Sequence, residues 1–440
     1  MCNPLVLIKE EKKGSIMIEM KKAKASLKSD EKQAFLKSIY AEQSLEDIWA
    51  RYEFVLDQFE KQFGTHQSIG IFSAPGRSEI GGNHTDHQGG NVVSASINLD
   101  VIGVAAPNES MVVRLESHGH DLYKVDISNA EIQQEEINTT AALIRGMAAK
   151  MIEMGYPITG FDAFVTSDVL PGSGLSSSAS FEIWVGVAMN ELFCNGEISP
   201  EELAKIAQYA ENVYFGKPSG LQDQMASSVG GIVAIDFADT EAPAIRRMTA
   251  DFHDYALCII DSGADHADLT DEYAAIPRDM GQIAAYFQKE KMCQVAKEQF
   301  MEALPLLRKR FGDRAVLRGI HFLQETERAK DEADALMRND MNAFLQLVRE
   351  SGASSYMYLQ NIYPAGAIDH QDVGIALAIC DDLLEGEGAF RVHGGGFAGT
   401  VQAFVPKHRL ERFKKETEKR LGEGCCHVLA IRPIGGTAIL

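Results

Sequence analysis

Hydrophobic positions in this chain switch between helical and strand-like spacing without a regular strand–helix alternation. Ile48, Tyr52, Val55, Leu56, Phe59 and Phe63 recur at helix spacing behind a Ser44-Leu45-Glu46-Asp47 cap and before Gly64. That pattern predicts helix over residues 31–63. A strand at 68–74 then runs into Pro75-Gly76, with further strands at 91–97, 101–106 and 111–115 and a helix at 138–154. Phe164-Val165-Thr166 reads as strand, 181–193 as an apolar helix, and Ser199-Pro200-Glu201-Glu202 opens another helix towards Val213. Residues 214–231 read as an irregular loop before strands at 232–237 and 255–261. The second half is mainly helical, near 281–302, 328–336, 340–351 and 370–384. Strands at 389–392, 400–405 and 427–432 and a helix at 407–421 close the chain. Mixed order of this kind predicts an α+β fold. It divides into a Lys-rich extension expected to be poorly ordered (1–30), an N-terminal lobe (31–235) and a C-terminal lobe (236–440).

Composition narrows the function classes. A chain of 440 residues with 45% hydrophobic and 24% charged residues is an ordinary globular protein with room for a large core. Its formal charge of −21 argues against nucleic acid or an anionic membrane as the main partner. Cys2, Cys194, Cys258, Cys293, Cys380, Cys425 and Cys426 are scattered and odd in number, without the spacing of a zinc site. A reduced, cytoplasmic setting is expected. The apolar run 4–8 is too short for a secretory signal, and no apolar stretch is long enough to span a membrane.

Three glycine-rich segments carry the candidate chemistry. Leu170-Pro171-Gly172-Ser173-Gly174-Leu175-Ser176-Ser177-Ser178-Ala179-Ser180 lies between a strand and a helix. Glycines let backbone N–H groups curl around a phosphate at a helix N-terminus, and the hydroxyls add donors and possible Mg²⁺ ligands. A flexible linker is the alternative, although linkers are rarely flanked so tightly by apolar elements. No Gly-Lys-Ser/Thr follows, so any phosphate is held without a P-loop lysine. The second segment, 75–90, puts Arg77, Glu79, His84, Asp86 and His87 among five glycines. Arg77 is either a solvated surface residue or a guanidinium facing a phosphoryl group. His84 and Asp86 suit sugar hydroxyls better than a metal, for which a third ligand is wanting. Asp223, after Gly220-Leu221-Gln222, is either a helix N-cap, which spacing alone favours, or a carboxylate that takes a proton from an attacking hydroxyl. The third segment, Gly394-Gly395-Gly396 between two strands, points to close approach of a ligand or another loop.

In this order the segments resemble the galactokinase branch of the GHMP small-molecule kinases, over residues 45–435. The resemblance implies a two-lobed fold with the active site in the cleft, ATP and Mg²⁺ as cofactors, and phosphate transfer to the anomeric C1 hydroxyl of galactose. Asp223 matches the family's catalytic aspartate and Arg77 its arginine partner. Asn83, His84, Asp86 and Tyr273 match sugar-contacting positions. Gly172, Gly174, Ser176, Ser177 and Ser178 match the ATP loop, with Ser177 and Ser178 near Mg²⁺. The implied partners are a small sugar and ATP, in a monomer or weak homo-oligomer, with neither nucleic acid nor membrane.

The sequence also departs from that pattern. Galactokinases typically have asparagine at the position of Glu79, glutamate at Asn83 and tyrosine at His87. The glutamate at position 83 normally addresses the far end of the sugar, around C6, so restoring it is expected to shift preference towards galactose. Galacturonate, arabinose or an N-acetylhexosamine are the alternative substrates. A non-catalytic sugar and ATP sensor is the reading from a different class, against which Arg77, Asp223 and Ser176–Ser178 all count.

Overall fold

Strand β1 (Gly70–Gly81) runs straight through Pro75-Gly76 in a computed structural model that describes residues 17–41, 43–169, 174–217, 219–239, 242–248, 252, 254–263, 269–397 and 399–440. A proline is tolerated there because the ladder to β2 (Asn91–Pro107) shifts register between Pro75 and Arg77, and again between Glu79 and Gly81. Half of the expected loop at 75–90 is therefore strand. Only Gly82–Gly90 turns back, so β1 and β2 form one long hairpin. The expected break between 97 and 101 is absent, and β2 is continuous.

The first sheet has the order β12-β1-β2-β5-β3-β4, with β6 on the near half of β2 and β7 outside it. Its other strands are β3 (Val112–Ser117), β4 (Tyr123–Asp126), β5 (Phe161–Ser167), β6 (Ile232–Asp236), β7 (Ala244–Met248) and β12 (Thr437–Ala438). Adjacent residues point to opposite faces. Phe72, Val101 and Ala105 pack with Ile144, Met147, Ile183 and Trp184 of helices Thr140–Glu153 and Ser177–Phe193. Ile71, Ile102 and Val104 pack on Ile39, Tyr52, Val55 and Phe59 of helices Asp30–Tyr40 and Leu45–Phe63. The Ser44 cap is formed, with its Oγ accepting from Asp47 N at 3.1 Å.

The second sheet has the order β11-β8-β10-β9, made of β8 (Tyr255–Asp261), β9 (Ala389–Val392), β10 (Thr400–Pro406) and β11 (Cys426–Leu429). Helices Asp372–Leu384 and Leu410–Leu421 cover one face of it. The chain then returns to β1 through β12. Buried Arg432 anchors that return on Asp100 (2.9 Å), which also accepts from Arg51 (3.0 Å) and Tyr40 (2.5 Å). Sheets, helical layers and crossing chain together make the expected α+β architecture.

Several expectations change. Met20–Leu27 is helical, inside the segment expected to be irregular, while residues 1–16 lie outside those described. Residues 214–231 contain helix Gln222–Val229. The helices expected at 281–302 and 328–336 are Thr270–Tyr286, Lys297–Phe311 and Asp313–Met337. Pro277 and Pro305 sit inside the first two of these helices, where proline ordinarily breaks a helix. Cys194, Cys258, Cys293, Cys380, Cys425 and Cys426 are free thiols. Among the described residues no helix is long and apolar enough to cross a membrane.

Candidate active site

The register shift after Pro75 releases the Arg77 N–H from the β1–β2 ladder, and it donates instead to Leu175 O at 3.1 Å. The Arg77 guanidinium also donates to Gly174 O. The strand is thereby stitched to the Gly/Ser segment, and Gly76 has no side chain because a Cβ would sit 2.9 Å from Leu175 O. Residues 170–173, with Gly172 among them, lie outside the described structure. Gly174 (φ +70°) and Ser176 (φ +59°) take left-handed backbone, turning the chain into the helix that starts at Ser177. Ser177 is half-buried and Ser178 exposed in its first turn.

Asp223 is not a cap. Leu221 is the N-cap of helix Gln222–Val229, and Asp223 sits in its first turn, where the helix dipole favours an anion. Its Oδ1 receives Arg77 Nε at 2.7 Å and Nη2 at 2.7 Å, and its Oδ2 receives Ser176 Oγ. Burial pushes its pKa up, but Arg77, Ser176 and Lys217 outweigh that, and the carboxyl is held below its ordinary value. The side chain remains 35% exposed, on the wall of a cavity of about 760 Å³. An ionised carboxylate held by a fixed guanidinium can take or orient a hydroxyl proton, while the arginine offsets phosphoryl charge.

Beyond this pair the wall carries Glu79, His84, Asp86, Tyr273, Gly394 and Gly395. His84 donates through Nε2 to Gly395 O at 3.0 Å, and burial lowers its pKa to about 4. Its ring is then neutral, with Nδ1 left as an acceptor. Tyr273 donates to Gly396 O at 2.9 Å and stacks edge-on against Phe397. Crowding explains two glycines of the triplet: a Cβ on Gly395 would lie 2.5 Å from the Tyr273 ring, and one on Gly396 2.0 Å from Asn361 O, while Gly394 takes left-handed backbone (φ +62°). Gly220 makes room in the same way for Asp86 Oδ2, which a Cβ would meet at 2.0 Å.

Asp86 supplies a pH dependence. Burial raises its pKa to about 6; a backbone hydrogen bond from His87 opposes this, and the charges of Asp223 and Glu79 add to it. Because the folded value lies above the unfolded one, ionised Asp86 costs stability at neutral pH, and acid relieves the cost as pH falls through 6. The cost is at most about 3 kcal/mol, since the side chain is partly open to cavity water. We expect kcat/KM for the sugar to fall with an apparent pKa near 6 on the acid side. Asp86→Asn is expected to remove that limb and raise the melting temperature at pH 8. A limb unchanged in the variant would assign the titration to another group.

Asn83 is misplaced by the sequence reading. It is fully buried and absent from the cavity wall. Its Nδ2 donates to Glu79 Oε1 (2.9 Å) and Gly394 O (2.6 Å), and its Oδ1 accepts from Asn361 (3.0 Å) and Ser355 (3.3 Å). A glutamate introduced at this position alone would meet Glu79 and a carbonyl oxygen, so the expected shift towards galactose does not follow. Glu79 takes the place on the wall, with Oε1 held by Asn83 and by Arg391 Nη2 at 3.1 Å. Among the described residues its Oε2 accepts no hydrogen bond.

Two further carboxylates were not singled out from sequence. Glu182 and Glu211 are both buried, share the Gln224 amide (3.1 and 2.7 Å), and feel one another's charge. Burial, then Glu211, raises the Glu182 pKa well above its usual value, and among the described residues Glu182 Oε1 has no hydrogen-bond partner. The signal was present: Glu182 is a charge inside the apolar run that follows Ser178. An orphaned carboxylate oxygen is a donor of the type a hard divalent cation such as Mg²⁺ takes.

Comparison with known proteins agrees with this geometry. Residues 142–231 match the model of the GHMP kinase N-terminal domain, and residues 57–107 match the galactokinase galactose-binding signature. Galactokinase of Clostridium tetani is 28% identical over 82% of this chain and 89% of its own length. That of Glaesserella parasuis is 30% identical over 81% and 90%. Among solved structures, Lactococcus lactis galactokinase complexed with galactose covers 88% of this chain and 99% of its own, with TM-score 0.75 and 24% identity. A mevalonate kinase covers 82% of this chain and 98% of its own, with TM-score 0.57 and 16% identity. With 30% identity sustained over most of both chains, and the Arg77–Asp223 pair set against the Gly/Ser segment, this chain belongs to the galactokinase family of GHMP kinases.

Proposed function

We propose that this chain transfers the γ-phosphoryl group of ATP to the C1 hydroxyl of galactose, giving galactose 1-phosphate and ADP. The observation that carries the reading is Asp223, ionised and fixed by Arg77 and Ser176 on the wall of the cavity. In this reading Asp223 orients the C1 hydroxyl and accepts its proton, and Arg77 offsets charge on the moving phosphoryl group. His84 Nδ1, Asp86, Glu79 Oε2 and the Tyr273 ring address the rest of the sugar. Gly174 and Ser176–Ser178 cradle the nucleotide phosphates at the start of the following helix, with Gly172 as the outstanding member of the loop. Mg²⁺ would be held by Ser177 or Ser178 with Glu182 and Glu211, and would neutralise phosphate charge. Cytoplasmic action on small molecules, by a monomer or weak homo-oligomer, completes the proposal.

A panel of free sugars with ATP and Mg²⁺ tests it. Galactose is expected to release ADP in step with a product carrying phosphate on C1 by ³¹P and ¹³C NMR. ATP binding without ADP release from any sugar would turn the reading into that of a sensor.

A further inference from the structure

The cavity continues past the groups assigned to the sugar. His87, Phe237, Pro277 and Lys291 line a further part of its wall. Backbone contacts hold these residues together: Met292 N donates to Gln88 Oε1 at 3.1 Å, and Phe237 N donates to Gly90 O at 3.1 Å. Gly89 is pressed between Phe237 O and Cys293 Sγ, which a Cβ would meet at 3.2 and 2.6 Å. The wall is therefore one assembled surface, drawn from the turn after β1, the end of β6 and the segment after helix Thr270–Tyr286.

Two of its groups want a ligand. Lys291 is half-buried and, among the described residues, its ammonium makes no ion pair or hydrogen bond. His87 has both ring nitrogens buried and, among the described residues, without a partner. Leaving such groups unpaired costs free energy that a bound acceptor recovers. Burial, then the neighbouring His84, His321 and Lys291, lowers the His87 pKa to about 3, so the ring is neutral and offers one N–H donor. An ammonium beside an imidazole N–H is a pair that recognises an anion. Of the carboxylates of the cavity, Asp223 is compensated by Arg77 and Glu79 by Arg391, while Asp86, next to His87 in sequence, is turned against Gly220, where a Cβ would meet its Oδ2 at 2.0 Å.

We infer that Lys291 and His87 form a subsite for an anionic substituent carried by the sugar at a carbon remote from C1. This rests on the kinase reading above and narrows its substrate class to galactose-like sugars bearing a carboxylate or phosphate ester at the far end. Phe237 and Pro277 supply the apolar sides of the subsite. Such a sugar then outcompetes galactose in the same cavity.

The test uses the full chain with ATP and three probes: galactose, galacturonate and galactose 6-phosphate. One or both anionic probes are expected to exceed galactose in kcat/KM by about 10-fold, the worth of one charge-assisted hydrogen bond. In Lys291→Met that ratio is expected to fall by about 10-fold through KM, and in Lys291→Arg to be retained. The two anionic probes separate a carboxylate subsite from a phosphate subsite. A wild-type preference for galactose, or a ratio indifferent to Lys291→Met, overturns the inference and leaves the kinase reading standing. No turnover of any probe, galactose included, removes the kinase reading and the subsite with it.

Discussion

Asp223→Asn is expected to lower kcat by about 10³-fold while ATP and sugar affinities change only a few-fold. The substitution is nearly isosteric. The asparagine oxygen still accepts from Arg77, which approaches Oδ1 at 2.7 Å, and Ser176 Oγ can turn to accept from the new NH₂. What disappears is the negative charge that lets the group receive a proton and that balances Arg77. The stability effect has a definite sign. Asp223 titrates below its ordinary value in the fold, so its ionised form stabilises the protein above the unfolded pKa, and this is lost as pH falls through the folded one. The variant should therefore melt below the parent at pH 7 and converge with it in acid. Single-turnover phosphoryl transfer with calorimetric ATP binding separates the two effects. Turnover within 10-fold of the parent would move the proton acceptor elsewhere on the wall, with Asp86 as the next candidate.

The fold was legible where side-chain spacing carried it. The helix after Ser44, the strand at Tyr255–Asp261 and the Ala389–Val392 and Thr400–Pro406 pair all lie close to where apolar periodicity puts them. Misreadings cluster where proline and glycine have tertiary reasons. Pro75 sits in a strand because a bulge accepts it, and Pro277 sits in a helix. The site was legible as residue types and less so as directions. Asp223 and Arg77 meet as the resemblance implies. Asn83 does not line the cavity: it lies in the turn after β1, where Glu79, Gly394, Asn361 and Ser355, the last three distant in sequence, take up its side chain. No local pattern announces those partners. Nor could spacing place Lys291, which reaches the cavity only through packing of its segment on Gln88.

The polar layer behind Glu79 is where a single substitution should cost most in stability. Arg391 is fully buried and donates to Glu79 O (2.8 Å) and Oε1 (3.1 Å), to Gln402 (3.3 Å) and to Ser351 (3.4 Å). Its charge is felt by Glu79, Glu325 and Glu332, of which, among the described residues, only Glu325 has a second cation bonded to it, Arg328. Among the same residues Glu332 has neither carboxylate oxygen hydrogen-bonded, and burial holds its pKa well above the usual range. Arg391→Met keeps much of the volume and removes the charge. It is expected to cost roughly 3–5 kcal/mol, the penalty for stranding a buried carboxylate. Burial already lifts the Glu79 pKa above its ordinary value in spite of Arg391, so without the arginine the ionised form becomes costlier still. Destabilisation should accordingly be worst at alkaline pH and ease as acid protonates Glu79. The double variant Arg391→Met/Glu79→Gln removes the stranded charge and is expected to recover a large part of the loss, with an interaction energy of about 1–3 kcal/mol in the cycle. Chemical denaturation of the parent, both single variants and the double at pH 6 and pH 9 measures all of this. Additive single effects with no pH trend would mean that Arg391 stabilises through packing and its bonds to Gln402 and Ser351, and that Glu79 keeps its place on the cavity wall without its support.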